Sequence, residues 1–299
     1  MKGILLTALG LLIIVVTLRD VVHELFHPER TGSISAAVMR ANWAVMRRAA
    51  RWHRRLLYDA GPLMLIAVAT TWTALFTIGW ALIYAPRLPS GFHVDAGLPV
   101  GSTHGAWTAF YISVATLATL GTGDFAPQFP LLRVLFPIES LVGAAMITAW
   151  ISWVLSIYPV LSDRRAFTRG VAVFQRAHPA PHDAVREEPP EAVAEALRSF
   201  TEQLLSVGSQ LQQSRVTYYF QDADTERNLA CELPYVIELA DAAAAADDVA
   251  PAVRYQRRTL LLAIDDVLRE IGSEFLDMDH AAPAEVLAKL RADQLLERY

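Results

Sequence analysis

The sequence predicts an all-α membrane protein whose front half lies in the bilayer and whose back half forms a cytosolic helical domain. Of its 299 residues, 54% are hydrophobic and only 19% are charged, which is more apolar than a soluble core requires. Residues 1–161 carry 11 basic and 7 acidic residues, a net charge of +4, whereas residues 162–299 carry 15 and 24, a net charge of −9. The overall charge of −5 argues against a nucleic-acid partner.

Three apolar stretches are candidates for crossing the membrane. Residues 3–18 contain no charge but number only 16, so domain 1–27 is expected to hold an uncleaved N-terminal membrane helix, with a signal peptide as the alternative. Residues 63–84 are uncharged, and Trp80 and Tyr84 near their end predict an interfacial aromatic belt. Residues 134–158 form the third span.

The connections between these spans differ in arginine content. Two arginines lie between the second and third spans and three follow the third, whereas eight lie between the first and second: Arg19, Arg30, Arg40, Arg47, Arg48, Arg51, Arg54 and Arg55. The positive-inside rule therefore predicts a multi-pass protein whose first connection and C-terminus are cytoplasmic. The single cysteine, Cys231, excludes a disulfide within the chain and fits a reducing compartment.

The basic segment 28–60 has the pattern of an amphipathic helix at positions 34–57. Its arginines occupy much of one side, and apolar residues lie roughly on the other: Val38, Met39, Trp43, Val45, Met46, Trp52 and Leu56. Two interpretations stay open. The helix lies among lipid headgroups, which makes membrane lipids a partner, or its basic face contacts the acidic back half.

Residues 106–118 are too apolar for an external loop and too short to cross the membrane, which predicts a re-entrant helix. Residues 119–124 follow with the sequence Thr-Leu-Gly-Thr-Gly-Asp. Irregular backbone at membrane depth is tolerated only inside protein or beside water. Gly121 and Gly123 permit positive φ angles that align successive carbonyl oxygens, and such a row, with the Thr119 hydroxyl, replaces the hydration shell of a cation.

This run resembles the Thr-Val-Gly-Tyr-Gly-Asp selectivity filter of potassium channels, and the matching positions are Thr119, Leu120, Gly121, Thr122, Gly123 and Asp124. Pro127 and Gly143 also fall at the spacings usual in that family. The resemblance covers residues 61–160. It implies a potassium-channel-like pore module of span, pore helix, filter and span, assembled as a homotetramer, with Gly143 as gating hinge and K⁺ as permeant ion without an organic cofactor.

The departures from the family pattern concern the surroundings of the filter. Thr122 replaces an aromatic residue that braces the filter, although Tyr111 remains near that place as filter support, and Ile112 is aliphatic. Ala115 stands where some members carry a carboxylate paired with the residue at Asp124. Cation conduction is therefore the expectation, and selectivity for K⁺ over Na⁺ stays open.

Two residues of the third span have alternative roles. Glu139 is the one ionisable side chain of this stretch, so it either supports the filter or pore helix in place of the missing carboxylate or reaches water near the helix end. Gly143 is either the hinge that the resemblance implies or a glycine that allows close helix packing.

A second motif, His-Glu-Leu-Phe-His at positions 23–27, matches the H-E-x-x-H pattern of zinc hydrolases. His23 and His27 would be weak candidate ligands, with Glu24 as general base. Pro28 ends the helix directly afterwards, and no third ligand is evident in a later span. A helix-end cluster is favoured over a membrane zinc metalloprotease, and the protein is not expected to be an enzyme.

The back half predicts a linker at 161–190, rich in proline near its end, followed by a cytosolic helical domain at 191–299. Helices are expected at 191–213, 227–246, 251–275 and 283–297. A Rossmann-like domain is not expected, because no G-x-G-x-x-G run lies between a strand and a helix.

These patterns together with the resemblance favour a cation channel, which the resemblance implies to be tetrameric and to lie in the bacterial plasma membrane. Monovalent cations, membrane lipids and further copies of the chain are the expected partners. A non-conducting membrane sensor on a degenerate pore is the alternative, because of Thr122.

Overall fold

A computed structural model describes residues 1–26, 32–95, 105–221, 228–245 and 250–294. Besides turns and irregular connections, these residues form helices and two short strands, β1 (Phe92–Val94) and β2 (Phe125–Pro127), which pair antiparallel. The helices are α1 (Lys2–Phe26), α2 (Ser33–Ala50), α3 (Ala60–Tyr84), α4 (Ala106–Leu117), α5 (Pro130–Ala177), α6 (Pro181–Glu187), α7 (Pro190–Gln213), α8 (Leu229–Ala245), α9 (Pro251–Phe275) and α10 (Pro283–Asp293).

The chain divides into two compact units. The first comprises Met1–Ala41 and Met64–Leu155, and the second comprises Asn42–Leu63 and Ser156–Tyr299. The predicted basic segment 28–60 has residues in both units, with the boundary between Ala41 and Asn42.

Three helical stretches are long and apolar enough to cross a membrane: Lys2–Phe26, Ala60–Arg87 and Pro130–Ala177. The last is 48 residues long, or about 72 Å at 1.5 Å per residue, which is more than twice the hydrocarbon thickness. The helix therefore continues well into the predicted linker 161–190. Most of that linker is helical, because its prolines begin α6 and α7 rather than breaking them.

Helix α1 packs antiparallel against α3 in the first unit. Gly10 and Gly79 face each other so closely that a Cβ on Gly10 would overlap the Gly79 carbonyl, and Gly3 lies against Pro86. Small residues at such a crossing allow two membrane helices to approach and gain dispersion contacts along their length.

Asp20 of α1 joins three elements of the first unit. Its buried carboxylate accepts hydrogen bonds from the Ile34 and Ser35 amides at 2.8 and 3.0 Å, which caps the first turn of α2. It also accepts one from the Trp72 Nε1 of α3 at 2.9 Å. Four donors, the Ser35 hydroxyl among them, compensate the cost of burying the charge, so the carboxylate holds α2 in a defined position beside α1.

The four helices predicted for 191–299 are confirmed as α7 to α10. Their described bounds agree within two residues, except that α10 ends at Asp293, four residues before the predicted end at 297. Helices α7 and α9 pack side by side, and Gly208 lets α7 approach so closely that a Cβ there would lie 2.7 Å from Val267. The apolar residues that α7 and α9 bury include Leu197, Leu204, Leu211, Leu260, Val267, Leu268 and Ile271.

The predicted helix at 34–57 ends earlier, at Ala50, and Arg54–Leu57 form a short 3-10 turn. Within the second unit, Trp43 Nε1 donates a hydrogen bond to the Asp293 carboxylate at 2.9 Å, and Arg47 forms an ion pair with the same group. The Tyr218 hydroxyl donates to Asp293 at 2.7 Å, and its ring stacks on Phe275. Burial and then the Asp293 carboxylate raise the pKa of Tyr218, so its hydroxyl stays a donor at neutral pH.

The turn Arg215–Tyr219, with Phe220 after it, is a junction of the second unit. Arg164 of α5 donates hydrogen bonds to the carbonyl oxygens of Thr217 and Phe220 at 2.9 and 2.6 Å. The ring of Phe220 lies where a Cβ on Gly61 would be. This turn therefore contacts both the start of α3 and the later part of α5.

We predict that Asp293→Asn lowers the stability of the second unit by about 2–3 kcal/mol, because a buried amide cannot replace every bond that the carboxylate accepts. Asp265→Asn is the matched control. Asp265 pairs with Arg269 on an exposed helix face, and this pair contributes about 0.5 kcal/mol or less to stability. Thermal unfolding of both purified variants in detergent measures the difference, and equal midpoints would contradict the assignment.

Candidate functional site

The short helix α4 confirms the helix expected at 106–118 and lies in the first unit. One face of it is buried and carries Ala109, Ile112, Ser113 and Thr116, while Trp107 and Tyr111 are exposed. A helix of 12 residues is marginal alone, so α4 depends on the partners of this face.

Glu139 of α5 provides the central polar contact of that face. Its fully buried carboxylate accepts a hydrogen bond from the Ser113 hydroxyl of α4 at 2.7 Å and another from the Tyr84 hydroxyl of α3 at 2.5 Å. Because the Glu139 side chain is fully buried, the alternative in which it reaches water near the helix end does not hold. Neither partner was predicted from the sequence, although Ser113 is a polar residue on the buried face of α4.

The aromatic belt expected from Trp80 and Tyr84 is wrong. Both side chains are buried, and Tyr84 packs against Phe92 of β1 and Phe136 of α5 with ring centroids 5.9 and 5.2 Å apart. Tyr84 is a residue type that suits a membrane interface, but here its hydroxyl is buried and donates to a buried acceptor.

Helix α4 ends in a Schellman motif that begins the candidate filter. The amides of Thr119 and Leu120 donate to the carbonyls of Thr116 and Ala115 at 3.0 and 2.9 Å. Thr119 has φ +59°, a region that glycine usually occupies at this place and that a β-branched residue avoids. Such strain costs of order 1–3 kcal/mol and is concentrated at functional sites.

The backbone beyond Thr119 is open to solvent in the single chain. Leu120 is 79% exposed, and Gly121 has φ +78°. The expectation that both glycines adopt positive φ is correct for Gly121 and wrong for Gly123. Gly123 instead lies in a turn in which the Phe125 amide donates to the Thr122 carbonyl at 3.3 Å and the Thr122 hydroxyl donates to the Phe125 carbonyl at 2.8 Å.

Asp124 lies at the outer end of the turn and has two contacts that the sequence did not predict. The Tyr111 hydroxyl donates to its carboxylate at 3.3 Å, which supplies a partner where Ala115 offers none. Its carbonyl accepts from the Asp95 amide at 3.0 Å, directly after β1. The β1–β2 pairing, which joins Phe92 to Pro127, lies directly beside this contact.

Gly143 lies against the carbonyl group of Leu117, and a Cβ at Gly143 would overlap that oxygen. Helix α5 runs uninterrupted through this position. The contact fits the packing alternative for Gly143 and places the last turn of α4 directly on α5. A hinge at Gly143 stays a prediction.

Residues 119–123 follow the C-terminal end of α4, where the negative end of the helix dipole favours a cation over an anion. A cavity of about 430 Å³ lies behind the run, lined by residues that include Thr116, Thr122, Phe136 and Ser140.

The rival zinc motif is described only in part. His23 accepts a hydrogen bond at Nε2 from the Arg19 guanidinium at 3.3 Å, and Glu24 lies in the next position of α1. His27 lies outside the described residues. Within the described ranges, no cluster of three or more His, Cys, Asp or Glu side chains is arranged to hold a metal ion.

Comparison with known proteins gives a distant similarity. The chain is 29% identical over 141 residues to "Uncharacterized membrane protein YdjJ" of Bacillus subtilis (strain 168), which covers 47% of this chain and 40% of that protein. The chain thus matches less than half of that relative's length. No protein family matches the chain, and no solved structure matches it. With its three apolar helices, the chain is a helical membrane protein.

We predict that Gly143→Ala destabilises the first unit by about 1–3 kcal/mol, because the new methyl group meets a backbone carbonyl that cannot rotate away. Gly170→Ala on the same helix is the control. Its Cβ would lie 3.8 Å from Gln203, so it is expected to be neutral or to gain up to about 1 kcal/mol from helix propensity. Equal thermal unfolding midpoints for the two variants would contradict the close contact.

We also predict that Glu139→Leu and Ser113→Ala are coupled. Removing the carboxylate leaves two buried hydroxyl donors without acceptors, at about 1–3 kcal/mol each, whereas Ser113→Ala removes one bond. The double variant should therefore be less destabilised than the sum of the single variants, by at least about 0.5 kcal/mol. Additive losses in thermal unfolding of the four proteins would show that the hydrogen bond is absent.

Proposed function

We propose that the protein is a tetrameric cation channel in which residues 119–123 form the selectivity filter. The observation that supports it is the exposed, positive-φ backbone at Thr119 and Gly121, directly after the C-terminus of a short buried helix between two membrane-crossing helices. This is the order of elements that the resemblance to potassium channels implies for a pore module.

Exposure of this backbone supports assembly from several copies. Irregular backbone cannot face lipid, so residues 119–123 need water or protein around them. The face of α5 also leaves large apolar side chains uncovered in the single chain, among them Val134, Ile138, Leu141, Ile151, Leu155 and Tyr158. Potassium channels assemble from four copies around one axis. The same assembly here would cover these side chains, and the four filter segments would surround the axis with carbonyl oxygens.

In this proposal a monovalent cation exchanges its water shell for the carbonyl oxygens of 119–123, with the dipoles of the four α4 helices directed at it. K⁺ is the expected ion. Glu139 and Tyr111 act as filter support through Ser113 and Asp124, because each holds one end of the α4–filter segment. Gly143 is the proposed hinge.

The proposed location is the plasma membrane with a cytoplasmic C-terminus. The arginine-rich first connection supports this orientation by the positive-inside rule. The antiparallel packing of α1 on α3 is compatible with it, because α1 and α3 then cross the membrane in opposite directions.

A second candidate function is a non-conducting membrane sensor built on the same module. It is favoured by Thr122, whose hydroxyl closes a local turn where potassium channels have a bracing aromatic side chain. The sensor would assemble as a tetramer without binding K⁺ in the filter. Thermal stability that rises in K⁺ relative to Na⁺ would exclude it.

We predict that liposomes containing the purified protein release K⁺ along a gradient and that Gly121→Ala reduces this flux at least tenfold. The reason is that φ +78° at position 121 costs about 1–2 kcal/mol for any residue with a Cβ. Gly170→Ala serves as the folded control with flux intact. Absence of flux from the native sequence under all conditions would contradict conduction.

The same liposomes measure the K⁺/Na⁺ permeability ratio. Thr122→Tyr restores the aromatic residue of the family pattern and is expected to raise this ratio. Thr122→Val is its control, because it removes the hydroxyl bond to Phe125 without adding an aromatic ring. A ratio that rises equally in both variants would assign the effect to the lost hydrogen bond.

A further inference from the structure

The segment before α3 carries a basic face that other parts of the second unit leave uncovered. We define the arginine surface as Val45, Arg48, Arg51, Trp52 and Arg55, all of which are exposed. Trp52 is 87% accessible and Val45 59%, and the first four residues line an open cavity of about 660 Å³. An exposed tryptophan among arginines suits a partner that accepts both an indole and a positive charge.

The orientation of this surface is fixed by the contacts on the other side of α2. Trp43 is buried and, with Arg47, is bound to Asp293, while the Arg47 side chain is 40% exposed and also lines the cavity. At 100° per residue, Arg48 and Val45 lie about 140° and 200° around the helix axis from Trp43. The face opposite Trp43 therefore points away from Asp293. Among the arginines at 40–55 whose side chains the structure describes, Arg47 is the one that contacts the acidic back half.

The surface has a large excess of positive charge. Residues 40–55 contain six arginines and no acidic residue. Among the described residues, none forms a hydrogen bond or ion pair with Arg48, Arg51 or Arg55. Guanidinium groups bind phosphate oxygens in bidentate fashion and hold less water than ammonium groups, so a phosphate-bearing partner fits them.

The chain itself keeps this surface close to the membrane. Trp52 precedes Ala60, the first residue of α3, by eight positions, so even a fully extended chain separates them by no more than about 27 Å. A soluble polyanion would neutralise the arginines but leave Trp52 and Val45 in water. A bilayer surface offers phosphates to the arginines and a boundary layer to the indole ring.

We propose that the arginine surface binds anionic phospholipid headgroups of the leaflet at which α3 begins. Arg48, Arg51 and Arg55 hold the phosphates, and Trp52 inserts at the level of the headgroups beside them. This site does not depend on conduction, so its test uses no flux measurement and its failure is separate from a failure of the proposed channel.

The test compares thermal unfolding of the full chain in detergent titrated with phosphatidylglycerol or with phosphatidylcholine. A ligand that binds the folded state raises the midpoint with its concentration. Of the two lipids, we expect only phosphatidylglycerol to raise the midpoint. The triple variant Arg48→Gln, Arg51→Gln, Arg55→Gln should need on the order of 100-fold more lipid for the same shift, because each arginine contributes about fivefold in affinity. Arg254→Gln, Arg258→Gln, Arg269→Gln removes the same charge from α9 and should keep the native response.

The same shift in the native and triple variants, or an equal loss in the α9 control, would overturn the proposal. An equal shift with inorganic phosphate or glycerol 3-phosphate would assign the site to a soluble anion and overturn it too. If the Gln variant does not fold, the conservative triple variant Arg48→Lys, Arg51→Lys, Arg55→Lys replaces it. That variant should keep the phosphatidylglycerol shift in 0.1 M KCl and lose most of it in 1 M KCl, and a salt-independent shift would contradict the charge-based site.

Discussion

The buried carboxylate of Glu139 holds three helices of the first unit together. Its two oxygens accept one hydrogen bond from α3 and one from α4, while the residue itself belongs to α5, so three helices meet at one buried group. A carboxylate in apolar surroundings is tolerated only when its oxygens are satisfied, which makes the positions of Tyr84 and Ser113 specific. The strained backbone at Thr119 directly follows α4, so the position of α4 determines the position of Thr119.

Two further buried aspartates act in the same way. Asp20 joins α1, the first turn of α2 and α3, and Asp293 joins α2, α10 and the turn at Tyr218. Apolar helices slide and rotate against one another at little cost, because one hydrocarbon contact resembles the next. An acid with several fixed donors has one best geometry, so these three residues specify register more than they add net stability.

Sequence patterns predicted the helices well, because 20-residue apolar runs and helical spacing are local signals. The spans, α4 and α7 to α10 were found in this way. What was missed depends on contacts between distant residues: the β1–β2 pair, the Tyr111–Asp124 bond, and the burial of Tyr84. The positive φ at Thr119 was also missed, because a β-branched residue gives no local reason to expect it. No local pattern distinguishes a buried tyrosine at a helix end from an interfacial one.

The contact between Trp43 and Asp293 links residues that are 250 positions apart in the chain. A ribosome adds roughly 5–20 residues per second, so between about 12 and 50 seconds separate the synthesis of the two partners. Helices α3 to α5 are synthesised within that interval, before the acid that fixes the end of α2 exists. The apolar helices are therefore synthesised first, and the end of α2, which leads into α3, is bound by Asp293 only at the end of synthesis.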